Sequence, residues 1–126
     1  ANSCVDRGTF GDTVLGQQVK LDNQVQVGHN ARIEDGAVVC GNTALAGNAR
    51  LGKFVIVGGG CGVTNHVSMG DGSRAAAHTL VSKDVPAGAT VAGLPQREHR
   101  EHFKIQALLN QLLKERSRRR ASQRGD

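Results

Sequence analysis

His29, Gly47 and His66 have the residue types and spacing to move a proton and hold an oxyanion. An imidazole loses its proton near neutral pH and can serve as a general base. A glycine bares its backbone N–H, which can donate to an oxygen that gains charge during a reaction. The interval from His29 to Gly47 recurs from Gly47 to Asn65, which His66 follows directly. In a fold that repeats at that interval these positions line one edge. On an ordinary surface the same residues would do nothing, so their meaning depends on the elements that carry them.

Those elements are legible as a six-residue period. Stepping by six from Leu15 gives Leu21, Val27, Ile33, Val39, Leu45, Leu51, Val57, Val63, Met69, Ala75 and Val81, all apolar. The residue four after each is mostly small or β-branched, as at Val25, Ala31, Ala37, Thr43, Ala49, Val55 and Cys61. A glycine often follows directly, at Gly16, Gly28, Gly52, Gly58 and Gly70. This period is wrong for an amphipathic helix, which needs apolar residues three and four apart. It suits short strands broken by turns, because two inward residues separated by two share one face of a strand. Three such strands close a triangular coil, and stacked coils make a parallel β-helix. Residues 15–86 hold four coils, roughly 20 Å tall at about 4.8 Å per coil. A narrow core of aliphatic layers also explains an aromatic content of only 2%.

The period fails at Pro86, and from about Gln96 the spacing becomes helical through Phe103, Ile105, Leu108, Leu109, Leu112 and Leu113. The expected division is a β-helix over 1–95, an amphipathic helix over 96–118 and a disordered basic tail over 119–126. The helix has two expected settings, a bundle with symmetry mates or the end of the prism. The chain opens Ala1-Asn2-Ser3 without Met, so the β-helix is read as lacking its first coils. Residues 1–96 carry seven basic and seven acidic side chains, and residues 97–126 carry nine and four, which is the whole net charge of +5. Such a tail attracts an acidic protein, nucleic acid or anionic lipid headgroups, or serves as a solubilising end. Nucleic acid is not expected, because no aromatic platform accompanies the charge. No apolar run is long enough to span a bilayer, so no transmembrane segment is expected. Three cysteines, Cys4, Cys40 and Cys61, argue against a disulfide framework. Counting by whole coils puts Cys4 and Cys40 in one column, two coils apart, with a gap of about 9–10 Å. That lies beyond the Cα reach of a disulfide.

The stretch Asp6-Arg7-Gly8, then Leu21-Asp22-Asn23-Gln24-Val25-Gln26-Val27-Gly28-His29-Asn30, then Leu45-Ala46-Gly47, resembles the UDP-3-O-acylglucosamine N-acyltransferases of lipid A biosynthesis. Gly58-Gly59, Asn65-His66 and Gly93-Leu94-Pro95 fit the same family, over nearly the whole chain and the latter half of the family's usual length. The resemblance implies a left-handed parallel β-helix followed by a C-terminal α-helix, assembled as a homotrimer in the cytoplasm. It implies transfer of a 3-hydroxyacyl chain from acyl carrier protein to the 2-amine of a UDP-linked 3-O-acylglucosamine. His29 matches the catalytic base, Gly47 the oxyanion-stabilising amide, and His66 a second histidine that supports donor binding. Asp22 and Asn23 match substrate-binding positions around the base, and Asn30 is such a position where a related O-acyltransferase family has Asp. No metal and no cofactor are implied. Zinc carbonic anhydrases on the same β-helix use two histidines five apart, and none of His29, His66 or His78 has such a partner. An acetyl-CoA-dependent sugar acyltransferase and a non-catalytic trimerising scaffold remain as alternatives.

Overall fold

A computed structural model describes residues 1–125. Strands of two residues recur every six positions and stack into three parallel faces. The first face stacks Cys4–Val5, Gln26–Val27, Ala44–Leu45, Gly62–Val63 and Leu80–Val81; the second stacks Val14–Leu15, Arg32–Ile33, Arg50–Leu51 and Ser68–Met69. The third stacks Lys20–Leu21, Val38–Val39, Ile56–Val57, Arg74–Ala75 and Thr90–Ala92, and Arg97–Glu98 closes it antiparallel. The register is that of the three-strand coil: Gln26 pairs with Ala44, and Ala44 with Gly62.

The apolar step of six is the core. From Val27 to Val81 the second residue of every strand is buried, together with the small residue two places before it. Each Val, Leu or Ile so placed contributes about 1.5–3 kcal/mol. At the first coil the stack is open: Leu15 is 40% exposed, and Val19 and Leu21 only partly covered. Each corner turns through a left-handed residue, including Asn30, Asn42, Asn48, Phe54, His66 and His78 at φ 56–61°. Asparagine tolerates that conformation better than most residues do.

Three sequence expectations need correction. Cys4 pairs with Gln26 rather than with Asp22, because a loop over 6–13 lengthens the first coil. Cys4 therefore lies on the first face while Cys40 follows the third, and the two share no column. The six-residue step also breaks before Pro86, since Met69 bridges to Val85. Lastly, the helix spans His99–Arg124 rather than 96–118. Gln96 is buried instead, with Oε1 accepting from the Ser82 and Lys83 N–H groups. Glu98 caps the helix by accepting from Glu101 N–H at 3.0 Å. The residues expected to be disordered continue the helix to Arg124, because Arg, Ala, Ser and Gln sustain it until Gly125; Asp126 lies outside the described residues. The first turns of the helix meet the last strands, with His102 against Gly93, but no helix residue is buried, and Phe103, Leu108, Leu109, Leu112 and Leu113 are exposed.

The inward polar atoms are bonded with one exception. Thr43 Oγ1 donates to Gly58 O, Thr79 Oγ1 to Ala76 O and Cys61 Sγ to Ala76 O. Among the described residues Ser73 Oγ is fully buried with no partner. An unpaired buried hydroxyl costs about 1–3 kcal/mol, so Ser73→Ala is expected to raise the thermal midpoint by several degrees. A lower midpoint in calorimetry would show that the hydroxyl does bond.

Candidate functional site

The edge between the first and second faces is built from three stacked tripeptides: Gly28-His29-Asn30, Ala46-Gly47-Asn48 and Thr64-Asn65-His66. Coil-to-coil hydrogen bonds fix them. Gly28 N–H donates to Leu45 O at 2.7 Å, Asn48 N–H to His29 O at 2.9 Å and His66 N–H to Gly47 O at 3.3 Å. The structure thus stacks Gly47 directly on His29. His66 takes the column of Asn30 and Asn48, with Asn65 in that of His29. At about 4.8 Å per coil, the backbones of His29 and His66 are roughly 10 Å apart.

His29 is exposed, yet its ring rests against the next coil. A Cβ placed on Gly47 would collide with His29 Nε2 and come within 2.6 Å of its Cε1. Glycine leaves room for the imidazole there, and a side chain at that position would displace the ring. The opposite ring nitrogen, Nδ1, lies 3.1 Å from Asn30 Oδ1.

The amide of Gly47 is the second feature. Gly47 is buried, and among the described residues its N–H donates to no protein acceptor. Buried backbone donors without partners are rare. The cause is visible one corner earlier in the coil. There Asp22 occupies the position that Gly28 occupies here, and its Oδ2 accepts from Gly41 N–H at 3.1 Å. Gly41 stands to Asp22 as Gly47 stands to Gly28. With no side chain at Gly28, nothing caps the Gly47 amide; a Cβ at Gly28 would sit 2.7 Å from Gly47 N.

His29 and Gly47 open onto a shallow groove of about 410 Å³ along the first face. Its outward residues shrink from Gln26 to Ala44 to Gly62, and Leu80 then stands across its far end. Among the described residues Asp6 is the only carboxylate lining it.

The remaining expected residues lie elsewhere. Asp22 and Asn23 follow the third face, so in one chain they stand on a different edge from His29. Asp22 Oδ1 accepts from Asn23 N–H, and Asn23 Oδ1 from the Ala1 ammonium group. Asn30 adjoins His29 but bonds mainly to the loop over 6–13. Gly28 was missed as a site residue, although it belongs to the recurring glycine column that the six-residue step picks out. Burial pushes the Cys61 thiol up, which suits packing better than nucleophilic work. Among the described residues no three His, Cys, Asp or Glu side chains group as a metal site requires, and no helix is long and apolar enough to cross a membrane.

No family model matches the chain. Individual proteins do. A UDP-3-O-acylglucosamine N-acyltransferase of Caulobacter sp. (strain K31) is 45% identical over 97 residues, which are 77% of this chain and 28% of the relative. The protein of that name from Wolinella succinogenes is 40% identical over 114 residues, 90% of this chain and 36% of the relative. The crystal structure of a UDP-N-acetylglucosamine O-acyltransferase from Moraxella catarrhalis RH4 superposes with a TM-score of 0.76 at 33% identity, covering 77% of this chain and 39% of that one. The shared architecture is the left-handed parallel β-helix. This chain spans about a third of the length of the curated relatives it matches, and within that span it belongs to the UDP-3-O-acylglucosamine N-acyltransferase family.

Proposed function

We propose that this chain carries the acyl-transfer site of an enzyme that moves a 3-hydroxyacyl group from acyl carrier protein to the 2-amine of a UDP-linked 3-O-acylglucosamine. The observation that carries this reading is the uncapped Gly47 amide beside His29 Nε2, at the head of a groove with small side chains. The donor's thioester oxygen accepts from Gly47 N–H, and the acyl chain lies along Ala44 and Gly62 toward Leu80. His29 Nε2 takes the proton from the amine as its nitrogen attacks the thioester carbon. A C–N bond forms and the oxygen gains negative charge, which the Gly47 dipole stabilises. The C–S bond then breaks, and the imidazolium returns its proton to the leaving thiolate. The products are the amide and the free carrier thiol. His66 supports donor binding two coils away.

Asp22 and Asn23 reach a His29 only if it belongs to a neighbouring subunit, which fits a homotrimer with its sites between chains. The exposed apolar residues of the C-terminal helix suit the same assembly. The acyl carrier protein donor and a cytoplasmic setting belong to this reading too. An acetyl-CoA enzyme would share the base and the amide, but acetyl leaves most of the groove empty.

His29→Ala is expected to lower turnover with hydroxyacyl carrier protein by about 10² or more. Turnover with acetyl-CoA alone, or an undiminished rate in the variant, would contradict the assignment. A paired substitution isolates the amide. Alanine at Gly28 brings a Cβ to 2.7 Å from Gly47 N, and alanine at Gly52 brings one to 2.8 Å from Asp71 N. Both variants are expected to lose similar stability in thermal denaturation, whereas only Gly28→Ala lowers kcat, by about 10²–10³. Equal kcat in the two would remove the oxyanion role from Gly47.

A further inference from the structure

We propose that Asn30 is a positioning residue that sets the tautomer of His29, and that the loop over 6–13 is the element that sets Asn30. The inference rests on His29 acting as the base. The amide of Asn30 meets two backbone groups of the loop. Its Oδ1 accepts from Thr9 N–H at 3.1 Å, and its Nδ2 donates to Phe10 O at 2.6 Å. Turning the amide over would set donor against donor and acceptor against acceptor, so the loop allows one orientation. That orientation directs Oδ1 at His29 Nδ1, 3.1 Å away. A carbonyl oxygen can only accept, so Nδ1 carries the proton of the neutral ring. Nε2, against Gly47, is left with a free lone pair, as a base needs.

The loop is held to this task by a further bond pair. Asn30 N–H donates to Thr13 Oγ1 at 2.9 Å, and Thr13 Oγ1 donates to Asp6 O at 2.6 Å. These bonds pin both ends of the loop to the coil that carries the base. Phe10 takes part through its carbonyl alone, as its side chain is 91% exposed. The role also explains the long first coil. A coil of regular length would pass beneath Asn30 without turning Thr9 and Phe10 toward it. Asn30 has φ 59°, which asparagine and glycine accept readily. Of its side-chain hydrogen-bonding capacity, only one Nδ2 hydrogen is left for a substrate. The charged and titratable groups of the neighbouring elements are Asp6, Arg7 and Asp12 in and beside the loop, and His66 beyond Gly47.

The test compares the chain with Asn30→Gly and Asn30→Asp, neither of which strains the left-handed backbone. Nitrogen NMR of 15N-histidine-labelled protein reads the tautomer without turnover. His29 is expected to be Nδ1–H in the parent chain and to move toward the Nε2–H form in Asn30→Gly. Asp keeps the acceptor for Nδ1 and adds a charge. It should hold the Nδ1–H form and raise the pH at which the ring deprotonates by about one unit or more. The acid limb of the kcat/KM profile then shifts upward in the active enzyme, and Asn30→Gly loses tenfold or more in kcat with little change in KM. An unchanged tautomer in Asn30→Gly, or an Nε2–H ring in the parent chain, overturns the inference. Absence of turnover in the parent chain would instead count against the acyl-transfer reading, with the NMR result standing by itself.

Discussion

Backbone hydrogen bonds between coils, such as Gly28 N–H to Leu45 O at 2.7 Å and Asn48 N–H to His29 O at 2.9 Å, hold residues one full coil apart in direct contact. This spacing dictates the composition. Inward positions take mainly aliphatic side chains that stack in layers, and corner positions turn through a left-handed backbone, most often at glycine or asparagine. At Gly16, Gly28, Gly52, Gly58 and Gly70, where a Cβ would strike the coil above, the chain uses glycine. The site is a local consequence of the same stacking. His29 fits over Gly47 because Gly47 has no side chain, and the Gly47 amide is uncapped because Gly28 has none either.

Asp22 makes that comparison internal to the molecule. One corner earlier, a carboxylate fills the place of Gly28 and satisfies the equivalent amide of Gly41. Capping is therefore one available arrangement in this fold; the amides of Gly47, Asp35, Asp71 and Ala77 all lack it among the described residues, and of these four only Gly47 is buried. The groove follows a similar rule, since Ala44 and Gly62 are small where Arg32, Arg50 and Arg74 project from the other faces. A deep cavity is not needed: coil spacing supplies precision, and side-chain deletion supplies access.

The sequence carries the repeating part of this structure almost completely. Apolar residues six apart place Val27, Leu45 and Val63 in one column, and that column carries His29 and Gly47 into contact. What breaks the repeat is less visible. The loop over 6–13 offsets Cys4 from any column counted back from Cys40, because counting assumes an unbroken step. Asn30 looks like a substrate ligand by its place beside His29, but its partners Thr9 and Phe10 lie in that loop and share no period with it. Asp22 and Asn23 are adjacent to His29 in the motif but stand one corner away in space, since each step of the repeat carries the chain around a third of a coil. The basic tail lacks apolar periodicity, yet it continues a helix because nothing before Gly125 interrupts one.

The uncapped amide of Gly47 can be observed directly. The 15N–1H signals of Gly47 and Gly41 can be followed while the protein is titrated with an unreactive acyl-pantetheine in which an amide replaces the thioester. The Gly47 proton is expected to move downfield as it meets the carbonyl oxygen, while Gly41, already bonded to Asp22, stays in place. A still Gly47 signal with the analogue bound would contradict the oxyanion role of Gly47.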